Sequence, residues 1–324
     1  MRQIKLLIES WPLLEPFVIT GHTWTHCNVL MVSITENGVT GRGEATGVYY
    51  LNETVESMYQ QVLGIRQKLE LGISREQLQY LLPMGGSRNA VDCALWDLEA
   101  RSSGQGIFEL TGIPSSPVNT VNTVTINTPE EMAKKATAIT ARQIKVKLDG
   151  EQPLQRISAV RSARPDADIV VDVNEGWSFA QLVELAPKFK ALGIKMIEQP
   201  LPRGEDAVLE GYKSPIMLCA DESCLDTSEL EQAARRYQMV NIKLDKTGGL
   251  TEALKLARRA KDKGMTLMVG NMTGTSLAMA PAYVIAQLCD FVDLDGPLFL
   301  TADRPHPMSY EQGVVSGLTT QLWG

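Results

Sequence analysis

Apolar residues recur along this chain in two different rhythms. In the first third, residues 2–9, 27–35 and 39–44 are strand-length runs rich in Ile, Val and Leu, separated by turn residues such as Asn37-Gly38. Three such runs in succession predict an antiparallel meander. Apolar positions at helical spacing follow at 53–70, 75–82 and 88–103, the last through Ala90-Val91-Asp92-Cys93-Ala94-Leu95-Trp96-Asp97-Leu98.

From residue 119 strand and helix alternate. Apolar runs predict strands at 119–127, 144–149, 169–174, 195–199, 217–221, 240–244, 267–271 and 291–295. They repeat roughly every 25 residues, the period of one βα unit in a (β/α)8 barrel. Cores such as Ile169-Val170-Val171 suit strands covered on both faces. Thr128-Pro129 with Glu131, Ser178 with Gln181, and Ser228 with Glu231 predict helix starts, and Gly193 a helix end. Residues 298–324 fall outside the barrel count and are expected to pack on the N-terminal region.

Composition narrows the function classes. The 324 residues, 44% hydrophobic and 21% charged, support an ordinary globular core of more than one domain or one large barrel. A net charge of −7 without a basic block argues against nucleic-acid binding. No apolar run approaches the roughly 18 residues of a membrane span, and Glu9 and Pro12 interrupt the N-terminus before signal-peptide length. Five cysteines without a C-x-x-C pair read as reduced, mostly buried thiols in a cytoplasmic protein, with Cys219 and Cys224 as packing residues. A homo-oligomer is compatible with all of this.

The charges concentrate where the strands end: Lys145-Val146-Lys147, Asp172-Val173-Asn174, Glu198-Gln199-Pro200, Asp221-Glu222-Ser223, Asn241-Ile242-Lys243, Asn271 and Asp293-Leu294-Asp295. Strand C-termini of a barrel converge on one mouth, where barrel enzymes place their chemistry. Acids on three consecutive strands repel one another unless a cation neutralises them, and an all-oxygen donor set favours a hard divalent ion, Mg2+ by default. Lys145 and Lys147 lie two apart on one strand and point to the same side. Two ammonium groups held close are expected to lower each other's pKa, which makes a lysine a base near neutral pH. Lys243 stands about half a barrel away, so a substrate at the metal would meet a lysine on each face. That arrangement removes a proton from one face of a carbon acid and returns it to the other, with the metal stabilising the enediolate. Two other classes compete with it, and the same residues argue against both. A Schiff-base aldolase through Lys147 or Lys243 would need no such carboxylates, and a barrel that only binds peptide or metal would need no pair of lysines.

The motifs Lys-x-Lys, Asp-x-Asn, Glu-Gln-Pro, Asp-Glu-Ser and Asn-Ile-Lys, in this order, resemble the muconate lactonizing enzyme subgroup of the enolase superfamily. Gly41-Arg42-Gly43-Glu44 and Ala94-Leu95-Trp96-Asp97-Leu98 share the resemblance, which covers essentially the whole chain. It implies an α/β fold, a (β/α)7β TIM-like barrel over 116–297 under an N-terminal α+β capping domain over 1–115 completed by 298–324. It implies metal ligation by Asp172, Glu198 and Asp221, one Mg2+ per subunit, and acid/base roles for Lys147 and Lys243. Lys145 would tune Lys147 and sit near the substrate carboxylate. Asp293-Leu294-Asp295-Gly296-Pro297 resembles the Asp-x-Asp motif of the dipeptide epimerases, whose two acids bind the free α-ammonium of the substrate. Asn241–Ala253, Cys219–Cys224, Trp11-Pro12-Leu13 and Pro16–Ile19 are similar to epimerases acting on L-Ala-D/L-Glu. The expected activity is therefore epimerisation of an L-Ala-Xaa dipeptide at its C-terminal residue. N-succinylamino acid racemisation, o-succinylbenzoate synthesis and cycloisomerisation are the alternatives within the subgroup.

One segment departs from that pattern. Glutamate-selective relatives usually carry an arginine in the loop after the first strand, and here Thr20-Gly21-His22-Thr23-Trp24-Thr25-His26 has neither Arg nor Lys. Trp24 offers an apolar wall instead, and the second covering loop, Val48-Tyr49-Tyr50-Leu51, is aromatic too. The expectation is a second-residue preference shifted toward apolar side chains, with glutamate recognised by another group as the alternative. Asn271, Met272 and Thr273 are expected to touch the peptide bond. His22, His26 and His306 read as surface or loop residues.

Overall fold

The N-terminal alternation builds a longer hairpin than its apolar runs suggest. In the computed structural model, which describes residues 1–324, β1 (Gln3–Ile19) pairs antiparallel with β2 (His22–Glu36), and β3 (Val39–Ala45) completes the sheet. The expected first strand ends at residue 9, yet pairing continues to Pro12 opposite His26, and the register shifts only between Pro12 and Phe17. An edge strand tolerates both a proline and a bulge. The expected loop at 20–26 is thus corrected to a hairpin tip. Only Thr20-Gly21 turns, and His22, Thr23 and Trp24 pair with Ile19, Val18 and Phe17. The next hairpin turns at Asn37-Gly38, both at positive φ (51° and 81°), as a two-residue type I′ connection requires.

The Gly86–Ser103 helix packs across this sheet and is buried nearly all round, Arg88, Asn89, Asp92 and Asp97 included. Its polar groups are paired: Asp97 accepts the Arg42 N–H at 2.8 Å and Arg88 donates to the Gly248 carbonyl at 3.2 Å. Helix and sheet approach closely because β3 offers Gly41 and Gly43; a Cβ at either would overlap the carbonyl oxygen of Ala94 or Ala90. The helix expected over 53–70 is broken at Ile65 (ψ 7°) into Val55–Gly64 and Arg66–Glu70, and that at 75–82 shortens to Arg75–Leu78.

The expected strand 119–127 divides in two. β4 (Val118–Asn119) leaves for a small sheet, and β5 (Asn122–Val124) opens the barrel. It continues through β6 (Gln143–Lys147), β7 (Asp168–Asp172), β8 (Met196–Glu198), β9 (Met217–Ala220), β10 (Met239–Lys243), β11 (Thr266–Gly270) and β12 (Phe291–Val292). These eight strands form one curled parallel sheet in sequence order, and its ends meet where the Val121 N–H donates to the Val292 carbonyl at 2.9 Å. After β12 the chain enters a 3-10 turn, Gly296–Phe299, instead of an eighth helix, so the barrel has the (β/α)7β form. Two residues before Asp172, Glu198 and Asp221 stand Val170, Met196 and Cys219; with Val121, Met239 and Met268 they fill the barrel interior.

Thr128 and Ser178 cap their helices as their spacing predicts. Ser228 does not. Its N–H and hydroxyl are both taken by Asp226, at 2.8 and 2.5 Å, and the helix starts at Leu230. The local Asx turn outcompetes the cap.

The C-terminal segment, with β13 (Ser309–Glu311) and β14 (Val314–Ser316) beside β4, returns to the N-terminal elements. The Trp323 indole N–H reaches the Cys93 carbonyl (3.1 Å), the Gly324 N–H reaches Asp97 (2.8 Å), and Arg304 pairs with Glu9 and Glu44.

The glycine contact is testable. Gly43→Ala should lower unfolding free energy by about 2 kcal/mol or more, because backbone must move to admit the methyl. Gly64→Ala, at a helix end with nothing within 4 Å of the new Cβ, should change it by less than about 1 kcal/mol. Urea midpoints of the two variants compare them, and equal losses would contradict the packing account.

Candidate active site

Strand register decides which side chains meet at the mouth. Lys147 lies opposite Asp172, and Asp172 opposite Glu198. The Lys147 Nζ donates to Asp172 at 2.6 Å and to the Asn174 amide oxygen at 3.1 Å. Four strands round the barrel, the Lys243 Nζ donates to Asp221 at 2.6 Å. Lys145, 1% exposed, sits between Asp172 (3.0 Å), Glu198 (2.8 Å) and Asp293 (2.7 Å).

This changes the electrostatics expected from the sequence. Burial works to lower the Lys145 pKa, but the charges of Asp172, Asp293 and Glu198 outweigh it and hold the ammonium well above its ordinary value. The expected mutual lowering therefore does not operate at Lys145, because carboxylates surround it more closely than any cation. Lys243 is raised too: burial opposes, and Asp221 and Glu198 prevail. Asp172 and Asp221 are held below the ordinary carboxyl range, the lysines overcoming the effect of burial. Glu198 is raised, first by burial and then by the neighbouring Asp172.

Asp172, Glu198 and Asp221 are fully buried under the mouth. They do not stand as a ready three-ligand cluster; lysine ammonium groups lie between them. Their chemistry nevertheless fits a hard cation. The donors are all oxygen, and Glu198 Oε2 and Asp221 Oδ1 accept no well-formed hydrogen bond although Lys145 (2.8 Å) and Lys246 (2.7 Å) stand within ion-pair distance. Buried carboxylate oxygens with spare acceptor capacity suit a divalent ion.

Above them opens a cavity of about 390 Å³. Lys145, Lys147, Lys243, Asp293, Asp295 and Asn271 line it, as do Met272, Thr273 and Trp24, so every sequence-predicted residue outside the three buried acids reaches one space. Asp295 accepts the Thr123 N–H at 2.7 Å and is raised well above its ordinary pKa by burial and then by Asp293. The Asn271 side chain is engaged locally, donating to the Asp293 carbonyl (2.8 Å) and accepting the Thr273 N–H (2.8 Å). Trp24 stacks on His22 (centroids 5.4 Å apart) and meets Tyr49 edge-on (5.2 Å), while Phe17 meets Phe299 (4.8 Å). His22 thus belongs to the aromatic wall and His26 lines the cavity; no arginine does.

Several participants are given no role by the sequence: Gln199 and Asn174 stand only as members of strand-end motifs, and Lys246 and Asp245 are not singled out at all. Lys246 is wholly buried and donates to the carbonyls of Asp221 (2.6 Å), Cys224 (3.1 Å) and Asn241 (2.9 Å). Its position follows from the helical turn Leu244–Thr247 that starts directly after β10. Gln199, at φ 34°, accepts the Asp221 and Ser223 N–H groups (3.0 and 3.1 Å) and so fixes the β9 end. Asn174 bridges Lys147 and Glu222. Asp245 accepts from Thr46 N–H (3.1 Å) and the Asn89 amide (3.0 Å), tying the second covering loop to the barrel.

Residues 129–316 match the enolase C-terminal domain-like family, and residues 1–112 the mandelate racemase/muconate lactonizing enzyme N-terminal domain. The chain is 43% identical to an L-Ala-D/L-Glu epimerase of Escherichia coli (strain K12), over 97% of this chain and 99% of that one. It is 40% identical to an N-acetyl-D-glutamate racemase of a Pseudoalteromonas species, covering 91% and 95% respectively. Among solved structures, an Agrobacterium tumefaciens enolase family member with homology to dipeptide epimerases, holding sodium and L-Ala-L-Glu, superposes with a TM-score of 0.98 at 39% identity over 100% of both chains. A dipeptide epimerase of Cytophaga hutchinsonii complexed with Mg and D-Ala-L-Val gives a TM-score of 0.91 at 26% identity, covering 98% of this chain and 92% of that one.

Burial raises the Asp245 pKa from its ordinary 3.8 to about 7, despite the hydrogen bonds from Asn89 and Thr46. The folded protein thus holds a proton that the unfolded chain has released, and this contribution to stability is lost as pH rises from about 4 through 7. Asp245→Asn keeps the acceptor oxygen and removes the titration. Urea unfolding across pH 4–8 should show the variant gaining on the wild type by a few kcal/mol, at about 1.4 kcal/mol per pKa unit. Parallel curves would contradict the assignment.

Proposed function

We propose that this chain, which belongs to the mandelate racemase/muconate lactonizing enzyme family of the enolase superfamily, epimerises dipeptides at the α-carbon of the C-terminal residue. The observation that carries the reading is that Lys147 and Lys243, four strands apart, line one cavity together with Asp293 and Asp295. In this reading residues 1–115, completed by 298–324, cap a barrel over 116–297, and five free cysteines support a cytoplasmic setting.

Asp172, Glu198 and Asp221 would hold Mg2+. When bound, it supplies the charge that these carboxylates otherwise draw from the lysines, and it stabilises negative charge growing on the substrate carboxylate. Asp293 and Asp295 receive the substrate's α-ammonium. One lysine, as free amine, takes the α-proton from one face, and the opposed ammonium donates to the other face. The carbon inverts, and no other bond changes.

The wall of Trp24, Phe17, Tyr49 and Phe299, without arginine, favours an apolar second residue over glutamate. A second reading, racemisation of an N-acylated amino acid, draws support from the Pseudoalteromonas relative and from the protonation that burial favours at Asp295, since a neutral acid can face an uncharged amide.

Mass gain in D2O discriminates among these. Exchange on L-Ala-L-Leu or L-Ala-L-Phe above that on L-Ala-L-Glu is expected; exchange on L-Ala-L-Glu alone would overturn the apolar preference, and exchange on N-acetylglutamate alone would install the second reading. EDTA should abolish activity and Mg2+ restore it. Lys147→Ala and Lys243→Ala should each cut epimerisation by about 10²–10⁴-fold, one of them still exchanging the α-proton of a single stereoisomer. Exchange surviving in the double variant would contradict the two-base scheme.

A further inference from the structure

The barrel seam opens toward its mouth. Just before β5, the Val121 N–H donates to the Val292 carbonyl of β12; two residues further along, the Thr123 N–H is taken by the Asp295 side chain instead. A second cavity, of about 220 Å³, lies at this opening, and Thr123, Asp295 and Phe299 line both it and the main cavity. Its other walls are Leu14, Glu15, Asn122, Ile139 and Leu298.

The composition of this groove indicates what it would take. Leu14 is 66% exposed and Leu298 37%, large apolar side chains left open beside an enclosed site. The Asn122 amide oxygen is buried without a hydrogen-bond donor. Glu15 adds a carboxylate, bonded at 2.6 Å to Lys135. The register shift after Pro12, the bridge from Leu13 to Leu300 and the Thr301 N–H bond to the Pro12 carbonyl (3.0 Å) position Leu14 and Glu15 there. Acceptors and apolar surface prevail among the lining residues, and the neighbouring Lys135 ammonium is held by one oxygen of Glu15. An N–H donor with an apolar side chain fits; an anionic acyl group does not.

We propose that this groove is a subsite for an additional residue joined to the amino end of the dipeptide, so that the enzyme also epimerises the C-terminal residue of tripeptides with an apolar first residue. The inference rests on the dipeptide reading, in which Asp293 and Asp295 mark where the substrate's amino end lies. In the extended peptide, Asp295 meets an amide N–H, the new ammonium finds Glu15 and the Asn122 oxygen, and the first side chain packs on Leu14, Ile139 and Leu298. The bond chemistry is unchanged: one α C–H breaks and one forms on the opposite face.

The test compares whichever L-Ala-Xaa dipeptide exchanges in D2O with its N-terminal L-leucyl derivative, in the wild type and in a Leu14→Ser, Leu298→Ser double variant. The wild type should process both. The variant should lose about tenfold or more of kcat/KM on the tripeptide alone, the order expected for lost apolar contacts, and keep its dipeptide rate, which also reports folding. A wild type active on the dipeptide but inert on the tripeptide overturns the subsite, as does a variant that processes both as before. Absence of exchange on every dipeptide overturns the dipeptide reading itself and the subsite with it.

Discussion

Four lysines and six carboxyl groups share the barrel mouth largely out of contact with water: Lys145, Lys147, Lys243 and Lys246 among Asp172, Glu198, Asp221, Glu222, Asp293 and Asp295. Burying any one of these charges alone would cost several kcal/mol, and removing one partner of a buried pair typically costs about 3–5 kcal/mol. Each set therefore depends on the other. Apolar residues of similar size often replace buried ion pairs without loss of stability, so stability alone is a weak account of the network. The proposed cation and carbon acid would account for it. The carboxylates hold the lysines in place, and in the proposed function a divalent ion held by Asp172, Glu198 and Asp221 would relieve the pull keeping the lysines protonated.

The rest of the fold serves that arrangement. Barrel strands carry the charged ends, and an interior layer rich in Met and Val closes the space below them. The long β1–β2 hairpin brings Phe17 and Trp24 over the mouth. The second covering loop is pinned from two sides. Glu53 accepts the Val48 and Gly86 N–H groups (3.1 and 2.9 Å), and Asp245 accepts that of Thr46. The C-terminal segment locks these elements through Arg304 and Trp323. Where the sheet's ends fail to pair at the top, a carboxyl group both spans the seam and faces substrate space.

Much of this was legible in the sequence, for a physical reason. Barrel strands and their terminal charges are local patterns: Asp172, Glu198 and Lys243 end apolar runs, and parallel connectivity brings such ends together. Three kinds of feature were not legible. Pro12 hid the continuation of β1, since tolerance of proline depends on being an edge strand. Ser228 and Glu231 imitate a capping box, but Asp226 competes for the same groups. The lysine environment was misjudged because spacing along one strand revealed Lys145 beside Lys147, whereas the acids that dominate Lys145 come from three other parts of the chain. Lys246 and Asp245 are decided by one helical turn whose start only the fold defines.

The central claim is that two lysines address opposite faces of one carbon. Isotope partitioning during the first turnovers in D2O tests it most directly: a single stereoisomer is supplied, and both product and unreacted substrate are recovered early and weighed. With separate bases on the two faces, the inverted product carries solvent deuterium at the α-carbon while recovered substrate remains essentially unlabelled. Product that retains the original protium would mean that one group serves both faces, and the arrangement described here would be wrong.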